Sequence, residues 1–275
     1  MRVLGRDPIT AGASVVLVLL LLLGSIGPWL GLGDPNAIGA GPRLSAPDAV
    51  FPLGTDELGR PFLPRVVAGI LITFLLSAAA VLLTAIAGTL VGLGAAYAGG
   101  WADTAIARLT DVLGAFPAII LGMMAAALIG PGNTSVIVVI VAATLPLFVR
   151  VVRSVALGLA GRDFVVVAEI AGAGPLRIIL VHLLPNVAGA LIVQLSYALS
   201  LGMLIESGLS FLGLGTQPPS SSLGSLLQLG ATYLSVAPWL ALAPGVVLAL
   251  AIMAVNLLGD ALRDAVDPLP GRGLR

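Results

Sequence analysis

Glu206 is the one carboxylate well inside an apolar stretch, MLIESGLSFLGLG, and Ser207 and Ser210 lie on neighbouring turns. A charge at the centre of a membrane helix costs about 2.5 to 3.5 kcal/mol on insertion scales, so this group must face a cavity, a partner helix or the interface. Two roles stay open for the trio: the wall or outer gate of a pathway, or a structural hydrogen bond near the outer membrane boundary. Other chemistry is sparse. The chain has no Cys, which removes disulfides and thiolate metal sites. It has no Lys either, and a Walker-type phosphate loop needs one to reach the β and γ phosphates, so ATP chemistry must come from another chain. The single His182 leaves no cluster for zinc or nickel and is read as structural. Further polar groups in or near the apolar runs are Asn133, Gln194, Asn256 and Asp260, too few ionisable groups for a proton relay. No catalytic residue and no metal site is assigned.

The elements that hold these residues follow from composition. Of 275 residues, 59% are hydrophobic and 9% charged. Long continuous apolar runs with so little charge define an all-α, polytopic membrane protein, whereas a β-barrel shows short alternating segments. Six spans are expected at about 11–30, 66–98, 112–129, 134–149, 186–212 and 237–259. The first is read as a retained helix rather than a cleaved signal. A Gly/Pro/Asp-rich connection covers 31–64, an amphipathic interfacial turn 99–117, a polar loop 213–225 and a short interfacial helix 226–234. In the connection, Thr55 or Asp56 is placed to cap a short helix, with Pro61 and Pro64 preventing one helix from running through. Gly88, Gly92 and Ala96 recur every four residues, which lets a neighbouring backbone approach. The chain divides into 1–65, the first helix and its connection; 66–267, a five-helix core; and 268–275, a tail.

Six spans put both termini on one side. Ten of the thirteen arginines then share that side, leaving Arg43, Arg60 and Arg65 opposite, and the positive-inside rule makes it the cytoplasm. The stretch from Arg162 to Asn186 is a cytoplasmic excursion, with too few apolar residues between Arg162 and Arg177 to cross a bilayer. Asp163 is placed to cap a helix over 163–171, Gly172 ends it, and Gly174–Pro175 starts a second helix after a sharp corner. Phe164, Val166, Val167 and Ile170 form a surface too apolar for water. Either a partner's groove accepts it, or it packs on its own bundle or lies on the bilayer.

This excursion resembles the coupling loop of ABC-transporter permeases, whose signature is Glu-Ala-Ala, three residues, Gly, and later Leu-Pro. Ala168 matches the second alanine, Gly172 the glycine, and Leu184 with Pro185 the closing pair. Val166 stands in place of the glutamate and Val167 of the first alanine, while Glu169 lies one position beyond the triplet. Leu53 to Arg60, LGTDELGR, is similar to the segment before the second helix in dipeptide, oligopeptide and nickel permeases of the smaller type, and Leu209 to Gly213 repeats a Leu-Ser-Phe-Leu-Gly run of the same family. The resemblance implies a type I ABC importer permease fold for peptides in a prokaryotic cytoplasmic membrane. It implies that Asp163, Phe164, Val166, Val167, Ala168, Glu169, Ile170 and Gly172 form the ATPase-coupling element. Implied partners are a second homologous permease, two ATPase subunits that bind ATP and Mg, an extracytoplasmic peptide-binding protein and membrane lipid. No cofactor is expected on this chain and no nucleic acid. Nickel chelates and glutathione are the alternative cargoes, and a stand-alone secondary carrier is the rival class.

Overall fold

The computed structural model describes residues 8–266, and every regular element among them is helical. The helices are α1 (Pro8–Ile26), α2 (Phe62–Ala98), α3 (Gly100–Gly114), α4 (Ala118–Ile129), α5 (Asn133–Ala160), α6 (Asp163–Ile170), α7 (Pro175–Phe211), α8 (Leu223–Thr232) and α9 (Trp239–Val266). Residues 268–275, read above as a tail, lie outside the described residues. Helices α1, α2, α5, α7 and α9 are each long and apolar enough to cross a membrane. The 37 residues of α2 and of α7 extend about 55 Å, far beyond the roughly 30 Å of a hydrocarbon core, so both project from it or tilt.

The third expected span has a different form. Instead of one helix over 112–129, α3 and α4 meet at a bend of 87°, and α4 alone has 12 residues, about 18 Å. Pro117 stands at the break, at φ −59° and ψ 136°: it has no N–H to continue the α3 ladder and its ring disfavours a helical residue before it, so the chain stops after α3 and restarts at Ala118. Two other boundaries also move. The fourth span is a 28-residue helix that runs on to Ala160, and the fifth begins at Pro175 rather than near 186, so α7 rises out of the corner without a break.

Three apolar clusters hold the bundle. At the end remote from α6, Phe62, Val66, Met203, Leu223, Leu226 and Leu240 join α2, α7, α8 and α9. In the middle, Val81, Ile140, Phe148 and Leu209 join α2, α5 and α7. Beneath α6, Leu93, Val152, Ala156, Ile178 and Leu183 close the other end. The glycine stripe of α2 does what its spacing predicts: a Cβ on Gly88 would stand 2.5 Å from the Phe148 Cβ, and one on Gly92 2.9 Å from the Val152 Cβ. Across the same pair of helices, Thr144 donates to the Thr84 hydroxyl at 3.1 Å. Where α3 lies against α5, Arg153 forms an ion pair with Asp103 and Arg150 with Asp111.

Candidate functional site

Helix α6 has two unlike faces. Val165 and Ala168 are buried, and Val165 packs in the cluster with Leu93, Val152, Ile178 and Leu183. On the other side Phe164, Val166, Val167 and Ile170 are exposed, Ile170 at 82% of its full area. Asp163 and Glu169 are exposed as well. One expectation needs correction. Asp163 is not the N-cap: Arg162 holds that position in an extended conformation, its side chain makes no capping hydrogen bond, and Asp163 is the first helical residue, where its charge complements the helix N-terminus. Ala168 lies on the inward face, one turn after Val165.

The corner after α6 is closed by backbone geometry. Gly172 adopts φ +82°, its N–H donates to the Glu169 carbonyl at 2.9 Å, and the Ala173 N–H donates to the Ala168 carbonyl at 3.0 Å. This pair of bonds is a Schellman cap, which needs a left-handed residue at that glycine. Pro175 then occupies the first turn of α7. Residues Ile178–Leu183 of α7 are wound as a π-helix, in which the Leu184 N–H reaches the Ile179 carbonyl. Pro185 follows directly and has no N–H to give to the turn below, so the wider winding accommodates a proline that an ordinary helix interior resists. His182 lies on this segment, its ring 6.4 Å from that of Phe164, and so ties α6 to α7.

Glu206 is fully enclosed, as are Ser207 and Ser210 to within 4% of their surface. The Ser210 hydroxyl donates to Glu206 Oε1 at 2.7 Å, the Ser207 hydroxyl lies 3.3 Å from Oε2, and Thr73 of α2 and Ser222 at the start of α8 also hydrogen-bond the carboxylate. Ser222 caps α8 through a reciprocal pair of bonds with Ser225, and the Leu223 N–H donates to Thr73 at 3.1 Å. The carboxylate therefore fastens α2, α7 and the N-terminus of α8 at one point. These three residues present almost no surface in this structure, and their hydrogen bonds accord with the structural role.

The stretch Leu53 to Arg60 folds as a knot rather than a short helix. Asp56 is fully buried; its Oδ1 accepts from the N–H groups of Leu58 and Arg60, and Oδ2 lies 2.5 Å from Arg60 Nε and 3.5 Å from Arg65 Nε. Thr55 accepts from the Ser45 N–H and donates to the Pro42 carbonyl. Gly54 and Gly59 both have φ near +70°, and a Cβ on either would stand less than 2.5 Å from a backbone oxygen, so no other residue fits. Pro61 precedes α2 and Pro64 sits in its first turn, where a missing N–H would have no intrahelical partner anyway, so the helix begins at Phe62, within the stretch read as connection. The knot and α8 enclose a polar pocket of about 280 Å³, bordered by Glu57, Arg60 and Arg65. Composition gave no hint of this assembly. Val165 is the inward anchor of α6, and the signal for it in the sequence is its place beside Val166 on a short helix with two faces.

A helical bundle with several helices long and apolar enough to span, and one short external helix, is the architecture of a multi-pass membrane protein. The chain belongs to the family of binding-protein-dependent transport system inner membrane components, whose model matches residues 88–271. It is 36% identical over 263 residues to a di/tripeptide transport system permease protein of Pseudomonas aeruginosa, covering 94% of this chain and 87% of that one. It is 34% identical over 264 residues to a glutathione transport system permease protein of Pectobacterium atrosepticum, covering 96% and 88%. Its fold is similar to a chain of the MetNI methionine ABC transporter in an inward-facing conformation, with a TM-score of 0.57 at 18% identity over 75% of this chain and 98% of that one.

Proposed function

We propose that this chain is the permease subunit of an ATP-driven importer of short peptides, forms half of the translocation route, and enters a groove of an ATPase subunit with α6. The observation that carries this reading is α6 itself. Its inner face is anchored on the bundle through Val165, while four large apolar side chains point away from it. Covering the 39 to 82% of each that is still exposed recovers part of the about 1.5 to 3 kcal/mol that full burial of such a side chain is worth, enough in sum to hold a partner. The arginine distribution supports a cytoplasmic side for this end and for both termini, in a prokaryotic cytoplasmic membrane. Peptide cargo is supported by the di/tripeptide permease relative; the glutathione permease relative supports the narrower alternative of that one peptide.

The chain pairs with a second permease of the same kind, two ATPase subunits that bind ATP and Mg, and an extracytoplasmic binding protein. It carries out no covalent chemistry. ATP draws the ATPases together, their grooves carry α6, and Val165 with the Gly172 corner passes that movement to α2, α5 and α7 as a rigid body. The test is peptide uptake by proteoliposomes that contain the full complex. Uptake is expected only with ATP, ATPases and binding protein all present. Uptake by this chain without ATPases would instead identify a secondary carrier.

A further inference from the structure

A second polar surface lies on the bundle away from Glu206. Gln194 and Tyr197 of α7 and Asn256, Asp260 and Arg263 of α9 border a cavity of about 210 Å³. The two helices touch closely there: a Cβ on Gly259 would stand 2.7 Å from the Ser196 Cβ. Among the described residues, none of these five side chains forms a hydrogen bond or ion pair, and Tyr197 is 56% exposed. Gln194 stands 17 residues before Phe211 and Asn256 17 residues after Trp239, roughly 25 Å along each helix, and both fall at membrane depth in the apolar spans expected at 186–212 and 237–259. Asp260 and Arg263 follow at the boundary on the α6 side.

Two amides and a phenol left unpaired at that depth do not face acyl chains, because each unmet polar group costs several kcal/mol in hydrocarbon. We propose that this α7/α9 face lines the inner part of the translocation route and is wetted in the assembled transporter. This rests on the importer reading above and assigns the residues that handle cargo. Side-chain amides donate and accept, as do peptide bonds, so Gln194 and Asn256 suit the backbone that all short peptides share. Asp260 and Arg263 then offer one charge of each sign to the two termini of a zwitterion as it leaves.

The lack of any native cysteine makes a direct test available. Single cysteines replace Gln194, Tyr197 or Asn256 in the complete complex, with Leu83→Cys and Ile86→Cys on the exposed side of α2 as controls. Inside-out vesicles are treated with a membrane-impermeant methanethiosulfonate, which reacts with the thiolate that forms only in water. The three test positions should label roughly tenfold faster than the controls or more, and a di- or tripeptide mixture should slow them. Labelling no faster than the controls at all three would overturn the proposal. Peptide uptake by the cysteine-free parent, measured in parallel, separates the two failures: its absence refutes the peptide reading, whereas slow labelling with normal uptake refutes only this face.

Discussion

Val165 and Val167 are two residues apart on one eight-residue helix, yet the first is 1% exposed and the second 63%. The same residue type serves as an anchor in one position and as contact surface in the other. Placing a charge at each separates the two roles. Val165→Asp should lower stability by several kcal/mol, because an unpaired carboxylate would be buried beneath α6. Val167→Asp should change it by no more than about 0.5 kcal/mol while abolishing ATP-driven uptake. Thermal unfolding in detergent and uptake in proteoliposomes read the two effects. Equal unfolding temperatures for both variants would refute the assignment of faces.

Gly172 has open space around its Cα, so strain there is purely conformational. Gly172→Val should cost about 1 to 2 kcal/mol for a left-handed β-branched residue and uncouple uptake from ATP hydrolysis, with normal membrane insertion. Gly172→Asn, which tolerates that conformation, should retain most of the uptake. The quantity to measure is transport per inserted permease, and normal transport by the valine variant would show that the corner does not carry the coupling.

Glu206→Gln keeps an acceptor among its hydroxyls, whereas Glu206→Leu leaves several buried hydroxyls unmet at about 1 to 3 kcal/mol each. The leucine variant should unfold at a markedly lower temperature. The glutamine variant should transport normally per folded molecule. A gate residue would give the reverse result: unchanged stability with altered uptake.

On α2, Gly92→Leu should destabilise the bundle by about 1 to 3 kcal/mol through overpacking against Val152. Gly94→Leu, two residues on, meets nothing within 4 Å and should not destabilise it. Unfolding midpoints in detergent distinguish them.

The spanning helices could be read in the sequence because a hydrocarbon solvent permits little else: a long apolar run must be helical there. The α6–α7 corner was legible for a local reason, since glycine is favoured at the cap at 172 and proline at the helix start at 175. Other features depended on partners that local pattern does not assign. Asp56 looked like a helix cap but is claimed by Arg60 and Arg65, and Glu206 adds Thr73 and Ser222, far from it in the chain, to the neighbouring Ser207 and Ser210. The α3–α4 bend was within reach, because Pro117 stands inside the expected span and a proline removes a helical hydrogen bond. The long α7 was hidden by the opposite effect: Pro185 suggested a boundary that the π-helical winding absorbs.

The central claim is that the exposed face of α6 sits in an ATPase groove, and site-directed cross-linking tests it most directly. With Ile170→Cys as the only thiol of this chain, a short thiol-reactive photo-cross-linker attached in native membranes and illuminated should yield an adduct with a P-loop ATPase, identifiable by mass spectrometry. The account predicts that adduct, and predicts that it weakens or shifts when ATP is added. An Ile170→Cys permease that inserts and transports but forms no adduct with any ATPase would contradict it.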